Sequence, residues 1–167
     1  MESVMSASHA KSWPKWMGLA LLVIVLDQLS KIYFNSQYQF GEMRDVIPGY
    51  FSFTLIYNPG AAFSFLRDAG GWQKYLFTLL ALGVSGYLGW NIIKGRFTSL
   101  MNIAASFIIG GAIGNVIDRL AYGHVVDFIL VHYQHSWYYP AFNLADSFIC
   151  VGAVLMVLDS MKQPKSA

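Results

Sequence analysis

Two aspartates in the second half of the chain are the residues best suited to chemistry. Asp127 lies in Val125-Val126-Asp127-Phe128, and Asp146 ends the stretch Phe142-Asn143-Leu144-Ala145-Asp146. Two carboxylates a few ångströms apart share one proton, so one can accept a proton from water while the other protonates or polarises a carbonyl. A facing pair would therefore suit peptide hydrolysis by activated water. Spacing alone does not bring the two together, because they are far apart along the chain.

Further polar residues stand beside apolar stretches, where ionisable groups cost free energy and indicate function. They are Asp27, Lys31, Asn58, Asn115, Asp118, Arg119 and Asn143. Most of these residues, and Asp146 as well, also have a structural interpretation. Asp146 can complement a helix dipole and Asn143 can cap a helix. Asp118 and Arg119 can form an ion pair, and Asn58 can shape the turn Asn58-Pro59-Gly60-Ala61-Ala62-Phe63-Ser64.

Composition indicates the elements that must position these residues. Hydrophobic residues make up 56% of the 167 residues and charged residues 12%, against about 25% charged in soluble domains. Four apolar stretches are long enough to cross a membrane as helices, at about 16–34, 72–93, 100–117 and 140–158. We therefore predict one integral membrane domain over 1–167. The net charge of +2 and the lack of a basic run argue against nucleic acid.

The predicted fold class is an all-α membrane protein with a small β-cradle. The cradle is expected at about 35–57, where Tyr50–Tyr57 has strong strand character, and a short loop or helix region is expected at about 119–139. Asp27 and Lys31 are four apart and can pair on one helix face, with Lys31 extending outward to water. Glycines at 83, 86 and 89 and at 110, 111 and 114 indicate faces for close helix packing or for an acyl-chain groove.

Short basic segments predict the orientation of the four spans. Lys11 and Lys15 precede the first span, Lys94 and Arg96 separate the second from the third, and Lys162 and Lys165 follow the fourth. The positive-inside tendency places these segments, and both termini, in the cytoplasm. The polar clusters are then expected at the outer edge of the membrane.

Metal chemistry is not indicated by the sequence. The single cysteine, Cys150, lies in an apolar run, and no Cys/His metal spacing is present. We expect His124, His132 and His135 to face solvent or the interface. No cofactor and no metal are predicted.

Five motifs in order resemble those of the lipoprotein signal peptidase (type II signal peptidase) family. They are Asp27-Gln28-Leu29-Ser30-Lys31, Asn58-Pro59-Gly60-Ala61-Ala62-Phe63-Ser64, Gly114-Asn115-Val116-Ile117-Asp118-Arg119, Val126-Asp127-Phe128 and Phe142-Asn143-Leu144-Ala145-Asp146. The resemblance covers about residues 16–160.

This resemblance implies an aspartic endopeptidase, signal peptidase II, of the bacterial inner membrane, with its active site at the periplasmic edge. Its substrate would be a prolipoprotein bearing a diacylglyceryl group on its lipobox cysteine, cut just before that cysteine. Asp127 and Asp146 would be catalytic. Asn58, Asn115, Asp118, Arg119 and Asn143 would support them, and Asp27 and Lys31 would be structural. Membrane lipid and the cyclic peptide inhibitor globomycin would be further partners, and a monomer is expected.

The residues alone leave two other functions open. Intramembrane acids beside an Asn and an Arg also occur in proton- or cation-coupled transporters. Against a transporter, the acids gather at one edge and no inverted repeat is visible. A membrane scaffold whose charges only pair with one another is the third possibility.

Overall fold

Four long helices and a four-stranded antiparallel sheet make up the described part of the chain. The computed structural model describes residues 12–59 and 72–162. In chain order the elements are α1 (Trp13–Gln37), β1 (Met43–Ile47), β2 (Phe51–Asn58), α2 (Gln73–Ile93), α3 (Ser99–Ala121), β3 (Val125–Tyr133), β4 (Trp137–Tyr138) and α4 (Leu144–Lys162). All four helices are long and apolar enough to cross a membrane.

The helix α3 lies at the centre of the bundle. Its most apolar 18-residue stretch is 61% buried, against 28%, 22% and 17% for α1, α2 and α4. A Cβ added at Gly110 would lie 2.5 Å from Cβ of Val23 on α1, and one added at Gly111 would overlap the carbonyl of Ala145 on α4. The predicted close packing at 110–114 is therefore correct, because only a hydrogen side chain lets these backbones approach.

The second glycine face does not pack in this way. A Cβ added at Gly83, Gly86 or Gly89 would meet nothing within 4 Å in the described part of the chain. Gly83 and Gly86 are exposed and Gly89 is buried, but at none of the three does another backbone approach closely among the described residues. The prediction of close helix packing at this face is therefore wrong.

The sheet lies at one end of the bundle, where α1 and α3 end and α4 begins. Its strand order is β1-β2-β3-β4, with antiparallel pairing throughout. The ring of Phe34, near the end of α1, stacks on Phe128 of β3 at 4.2 Å and contacts Phe53 of β2 at 4.8 Å. This aromatic contact attaches the sheet to the helices.

The strands β3 and β4 correct the predicted loop or helix region at 119–139. The sequence Val125–Tyr133 is a nine-residue strand that pairs with β2, Tyr57 opposite Val126. The expected cradle at 35–57 therefore holds only half of the sheet, and α1 itself continues to Gln37. The charged and aromatic residues around this strand favoured a loop, but long-range pairing with β2 satisfies its backbone hydrogen bonds.

Two span boundaries differ from the predicted ones for physical reasons. The third helix continues beyond 117 to Ala121, because Asp118 makes buried hydrogen bonds and does not need to leave the helix. The fourth begins at Leu144 rather than at 140, because Phe142 bonds to Ile129 of β3. It continues to Lys162, and Asp159 near its end accepts a hydrogen bond from Thr98 at 2.7 Å.

Candidate active site

Asp127 lies on β3 at the edge of the helix bundle, and its side chain is almost fully buried. It is 2% exposed. The amide of Asn58, at the end of β2, donates to Oδ2 at 3.0 Å, and the amide of Asn143 donates to Oδ1 at 2.8 Å. Both carboxylate oxygens are therefore held in place by fixed amide donors. Pairing of β2 with β3 brings Asn58 to this position.

Asp146 lies in the first turn of α4, and Asn143 is the residue just before that helix. The backbone N–H of Asp146 donates to Oδ1 of Asn143 at 2.9 Å, and the backbone N–H of Asn143 donates to Oδ2 of Asp146 at 3.2 Å. This reciprocal pair is a capping box. Because Oδ1 of Asn143 accepts from the helix, its amide nitrogen must face the other way, toward Asp127.

The amide of Asn115 on α3 completes the connection between the two aspartates. Its nitrogen donates to Oδ1 of Asp146 at 2.8 Å, and its oxygen accepts from Asn143 at 3.2 Å. Asp127 and Asp146 line one cavity of about 440 Å³, open on one side, together with Asn58, Asn115 and Arg119. The structure therefore brings together the aspartate pair (Asp127 and Asp146) that chain spacing alone left apart.

Burial and charge give Asp127 an unusual proton affinity. Burial raises the pKa of this carboxyl from 3.8 to about 7, and the negative charge of Asp146 acts in the same direction. The hydrogen bonds from Asn58 and Asn143 and the positive charge of Lys31 lower the pKa by less. At neutral pH Asp127 can therefore hold a proton or release it, as an acid–base group requires.

A second, fully buried cluster lies behind the aspartate pair. Lys31 on α1 forms ion pairs with Asp27 at 2.8 Å and with Asp118 on α3 at 2.9 Å. Its ammonium also donates to Oδ1 of Asn115 at 2.9 Å. The predicted outward extension of Lys31 is wrong, because two carboxylates and an amide inside the bundle bind its charge. The predicted pairing of Asp27 with Lys31 is correct.

The same cluster fixes the first residues of two further elements. The backbone N–H of Ala145 on α4 donates to Asp27 at 3.0 Å, and the N–H of Val126 on β3 donates to Asp118 at 3.1 Å. Each aspartate is thus bound to an element that carries one member of the aspartate pair. Removing one partner from a buried ion pair costs about 3–5 kcal/mol, since the other charge is left uncompensated. This cluster is accordingly a rigid support.

Asp118 and Arg119 do not form the ion pair that the sequence suggested. Asp118 bonds to Lys31, while Arg119 extends to the cavity of the aspartate pair. The guanidinium of Arg119 stands 5.7 Å from the ring centre of Phe77, and its buried Nε makes no hydrogen bond to the described residues. Arg119 is thus a cation that faces the cavity without a bound carboxylate in the described ranges.

An apolar groove of about 270 Å³ leads away from the site between α2, α3 and α4. Asn115, Arg119 and Asp146 lie at its polar end. Its other lining residues are Phe77, Leu80, Ala81, Val84, Ile108, Ala112 and Ile149. The cavity of the aspartate pair and this apolar groove therefore share three lining residues, Asn115, Arg119 and Asp146.

Sequence reasoning missed two polar residues. Gln28 donates to Oδ1 of Asp118 at 2.9 Å and to the carbonyl of Gly114 at 3.1 Å. Its place beside Asp27 in an apolar span was the available signal. His132 is 2% exposed rather than facing solvent, and it bonds to Ser52. Of the predicted turn at 58–64, residues 60–64 lie outside the described part of the chain.

The arrangement can activate water and polarise a carbonyl. The carboxyl groups of Asp127 and Asp146 line one cavity and accept hydrogen bonds from asparagine amides, and the cation Arg119 lines the same cavity. Among the described residues, Asp45, His132 and His135 form the one group that could hold a metal ion, and it lies elsewhere on the sheet. General acid–base hydrolysis by the aspartate pair is the chemistry that these contacts suit best.

Comparison with known proteins gives a consistent result. A family model described as signal peptidase (SPase) II matches residues 19–162. A lipoprotein signal peptidase of Chromobacterium violaceum is 74% identical over 160 residues, covering 96% of this chain and 99% of the relative. One from Neisseria gonorrhoeae is 57% identical and covers 98% of each chain.

Solved structures agree with the sequence relatives. One described as a bacterial membrane enzyme determined in meso at 2.3 Å resolution aligns with a TM-score of 0.76 and 28% identity, covering 92% of this chain and 94% of the other. A second such structure, at 1.9 Å resolution, has a TM-score of 0.76 and 29% identity and covers 90% and 95%. The resemblance inferred from five motifs is confirmed, and this chain belongs to the signal peptidase II family, which cleaves the signal peptides of prolipoproteins.

Proposed function

We propose that this chain is an aspartic endopeptidase that acts on prolipoproteins whose lipobox cysteine bears a diacylglyceryl group. It cuts the peptide bond just before that cysteine. The observation that carries the aspartic mechanism is the shared cavity of Asp127 and Asp146, each held by amide donors of Asn115, Asn143 or Asn58.

The two aspartates take different roles in this mechanism. Because the pKa of Asp127 is about 7, Asp127 holds the shared proton and polarises the carbonyl of the scissile bond. Asp146 accepts a proton from the attacking water. After attack, a proton passes to the leaving nitrogen and the C–N bond breaks, so that the pair returns to one proton.

The surrounding residues orient the pair and the substrate. Asn58 and Asn143 fix the carboxyl plane of Asp127, while Asn115 holds Asp146. Arg119, which lines the cavity, stabilises the negative charge that develops on the carbonyl oxygen. Asp27, Lys31 and Asp118 form the buried support behind them.

The apolar groove suits the lipid part of the substrate. It begins at Asp146 and Arg119 and continues along apolar side chains of α2, α3 and α4. An acyl chain lying there would place the lipidated cysteine beside the aspartate pair. The cyclic peptide globomycin would compete for the same cavity.

We place the protein in the bacterial inner membrane as a monomer, with both termini in the cytoplasm and the sheet on the periplasmic side. The basic residues Lys15, Lys94, Arg96 and Lys162 all lie at the end of the helices opposite the sheet. This distribution follows the positive-inside tendency. A lipidated substrate anchored in the outer leaflet would then present its scissile bond at the level of the site.

Cleavage of a diacylglyceryl-modified precursor by the purified full chain tests the proposal. We expect Asp127→Asn and Asp146→Asn each to lose at least about 10³-fold in kcat/KM, because each removes one partner of a coupled acid–base pair. Asp159→Asn is the matched control, since it changes a buried aspartate at the other end of α4 that bonds to Thr98.

Thermal melts of all variants show whether each has folded. Full cleavage by a folded Asp127→Asn or Asp146→Asn variant would show that the aspartate pair is not the catalytic group. Equal cleavage of lipidated and unmodified precursors would show that the groove does not select the diacylglyceryl group.

A further inference from the structure

A second cluster of ligand-type side chains lies on the sheet, away from the aspartate pair. It contains Asp45 of β1, Ser52 of β2, His132 of β3 and His135 from the turn between β3 and β4. One imidazole nitrogen of each histidine and one oxygen of Asp45 all lie within 4.8 Å of one another. Sequence spacing did not indicate this group, because its members come from three strands and a turn.

Strand register explains why the cluster forms. Asp45 pairs with Ser52, and Ser52 pairs with Leu130. His132 is two residues beyond Leu130, so its side chain points to the same face of the sheet. Asp127 is an odd number of residues from His132 along β3 and points to the opposite face. The cluster is therefore separate from the proposed catalytic cavity.

The turn after β3 brings in the second histidine. Gln134 and His135 both have positive φ, at 49° and 54°, a region that such residues seldom adopt. The N–H of Gln134 donates to the carbonyl of Gly49 at 2.7 Å, which holds the turn against the β1–β2 hairpin. The ring of His135 thereby stacks on the ring of His132 at 4.4 Å.

Distances within the cluster are close to those of a metal site. Nε2 of His135 is 3.4 Å from one oxygen of Asp45, and Nε2 of His132 is 3.9 Å from the other. Ligands bound to one tetrahedral zinc ion at about 2.0–2.2 Å stand about 3.3–3.6 Å apart. The ligand atoms of the three residues all lie within 4.8 Å of one another, so rotation of the side chains would bring them into that geometry.

Hydrogen bonding does not account fully for the buried histidine. Nε2 of His132 is 2.8 Å from Oγ of Ser52, and the Ser52 hydroxyl donates to Asp45 at 2.6 Å. The other ring nitrogen of His132, Nδ1, is buried and makes no hydrogen bond within the described ranges. A serine-protease triad is excluded, because the carboxylate contacts the serine and not the far imidazole nitrogen. Partial exposure of Asp45 (33%) and His135 (42%) leaves a path for an ion.

We propose that Asp45, His132 and His135 bind a divalent transition-metal ion, with Zn²⁺ the best match. Two imidazoles and one carboxylate, with a fourth position for water or the Ser52 hydroxyl, are a donor set that Zn²⁺ takes in proteins. Zinc displaces any proton from the nitrogen that it binds. The ion would connect β1 to β3 across β2 and so stiffen the sheet that carries Asp127.

Zinc-dependent melting of the full chain in detergent tests this site. The protein is purified without a histidine tag and treated with a chelator, and the His9→Ala background removes the histidine outside the described residues. At 100-fold excess over Kd, we expect Zn²⁺ to raise Tm by about 5 °C or more. Co²⁺ should give the visible absorption of a site with nitrogen and oxygen ligands.

Matched variants locate the binding. His135→Ala and Asp45→Asn change partly exposed ligands, and each should weaken Zn²⁺ binding at least about tenfold and so reduce the Tm shift at the same Zn²⁺ concentration to about half or less. His124 lies outside the cluster, with its ring 4.4 Å from the ring of Tyr57, and His124→Ala should keep the full shift. Absence of a Tm shift in the parent protein, or an equal shift in His135→Ala and Asp45→Asn, would overturn the proposal.

Discussion

At the scale of single residues, the proposed mechanism depends on the proton of Asp127. Burial and the charge of Asp146 oppose ionisation, while two amides and Lys31 favour it. The balance lies near neutral pH, where a small change in surroundings moves the proton. The raised pKa of Asp127 contrasts with that of Asp45, because the hydrogen bond from Ser52 lowers the pKa of the Asp45 carboxyl.

The first prediction concerns the pH dependence of stability. Because the folded-state pKa of Asp127 is about 7 and its ordinary value is 3.8, the folded protein binds more protons than the unfolded chain between those values. This contribution to the free energy of unfolding is present at low pH and is lost as pH rises toward about 7. It amounts to about 4 kcal/mol at most.

Thermal melts between about pH 5 and pH 8 check this linkage. Asp127→Asn should show a smaller fall in Tm across that range than the parent protein. Ser147→Ala, which alters a neighbouring but non-ionising hydrogen bond to Asn143, should keep the parent slope. Equal slopes in all three proteins would mean that Asp127 ionises normally.

Asn143 has a capping role and a site role, and two substitutions separate them. Asn143→Ala removes both the cap of α4 and the donor to Asp127. We therefore expect this variant to lose about 1 kcal/mol of stability or more and also to lose cleavage activity. Asn143→Ser keeps a side-chain oxygen for the cap but has no amide donor.

The serine variant should therefore regain most of the lost stability but remain at least about tenfold below the parent in kcat/KM. Melts and cleavage rates measured on the same samples make the comparison. If Asn143→Ser cleaved at the parent rate, the hydrogen bond to Asp127 would have no part in catalysis.

At the scale of elements, the central helix α3 sets the positions of the site residues. It carries Asn115, Asp118 and Arg119 on its last turns, and its glycines allow α1 and α4 to approach its backbone. The aspartate Asp146 is one residue beyond Ala145, whose carbonyl lies against Gly111. Helix packing at this glycine thus determines where Asp146 stands relative to Asn115.

Gly111→Ala should destabilise the protein by about 1–3 kcal/mol, because the added methyl would overlap the Ala145 carbonyl and lie 2.8 Å from Ile149. Gly86→Ala is the matched control on α2, where nothing described lies within 4 Å, and it should be neutral or gain up to about 1 kcal/mol of helix propensity. Thermal melts in one detergent compare the two. Equal Tm values would contradict the packing of α3 on α4.

At the scale of the whole molecule, the sheet lies at the end of the bundle opposite the helix-flanking basic residues Lys15, Lys94, Arg96 and Lys162. Ser136 beside the sheet and Ser160 near the end of α4 are both exposed, and each hydroxyl bonds to the carbonyl three residues earlier. They offer matched positions for cysteine labelling once Cys150 has been replaced by alanine.

We expect a membrane-impermeant maleimide to label Ser136→Cys in intact spheroplasts and to label Ser160→Cys only after lysis. The physical reason is the positive-inside distribution of the helix-flanking lysines. Labelling of Ser160→Cys, but not of Ser136→Cys, in intact spheroplasts would contradict the proposed orientation. Cleavage by each variant confirms that it has folded.

The amino-acid sequence by itself determined the membrane class and the spans, because hydropathy over some twenty residues is a local property. It also indicated which polar residues are candidates for function, since Asp27, Lys31 and Asp127 are costly beside apolar stretches. For the four spans themselves, only the end points were inaccurate, because a paired charge such as Asp118 does not end a helix.

Tertiary structure alone decided which of those residues meet. Asn58 reaches Asp127 through the pairing of β2 with β3, and Lys31 turns inward because Asp118 lies on a helix distant in sequence. His132 joins Asp45 only through strand register. These contacts depend on long-range packing and pairing, whose free energies arise from partners that no local pattern records.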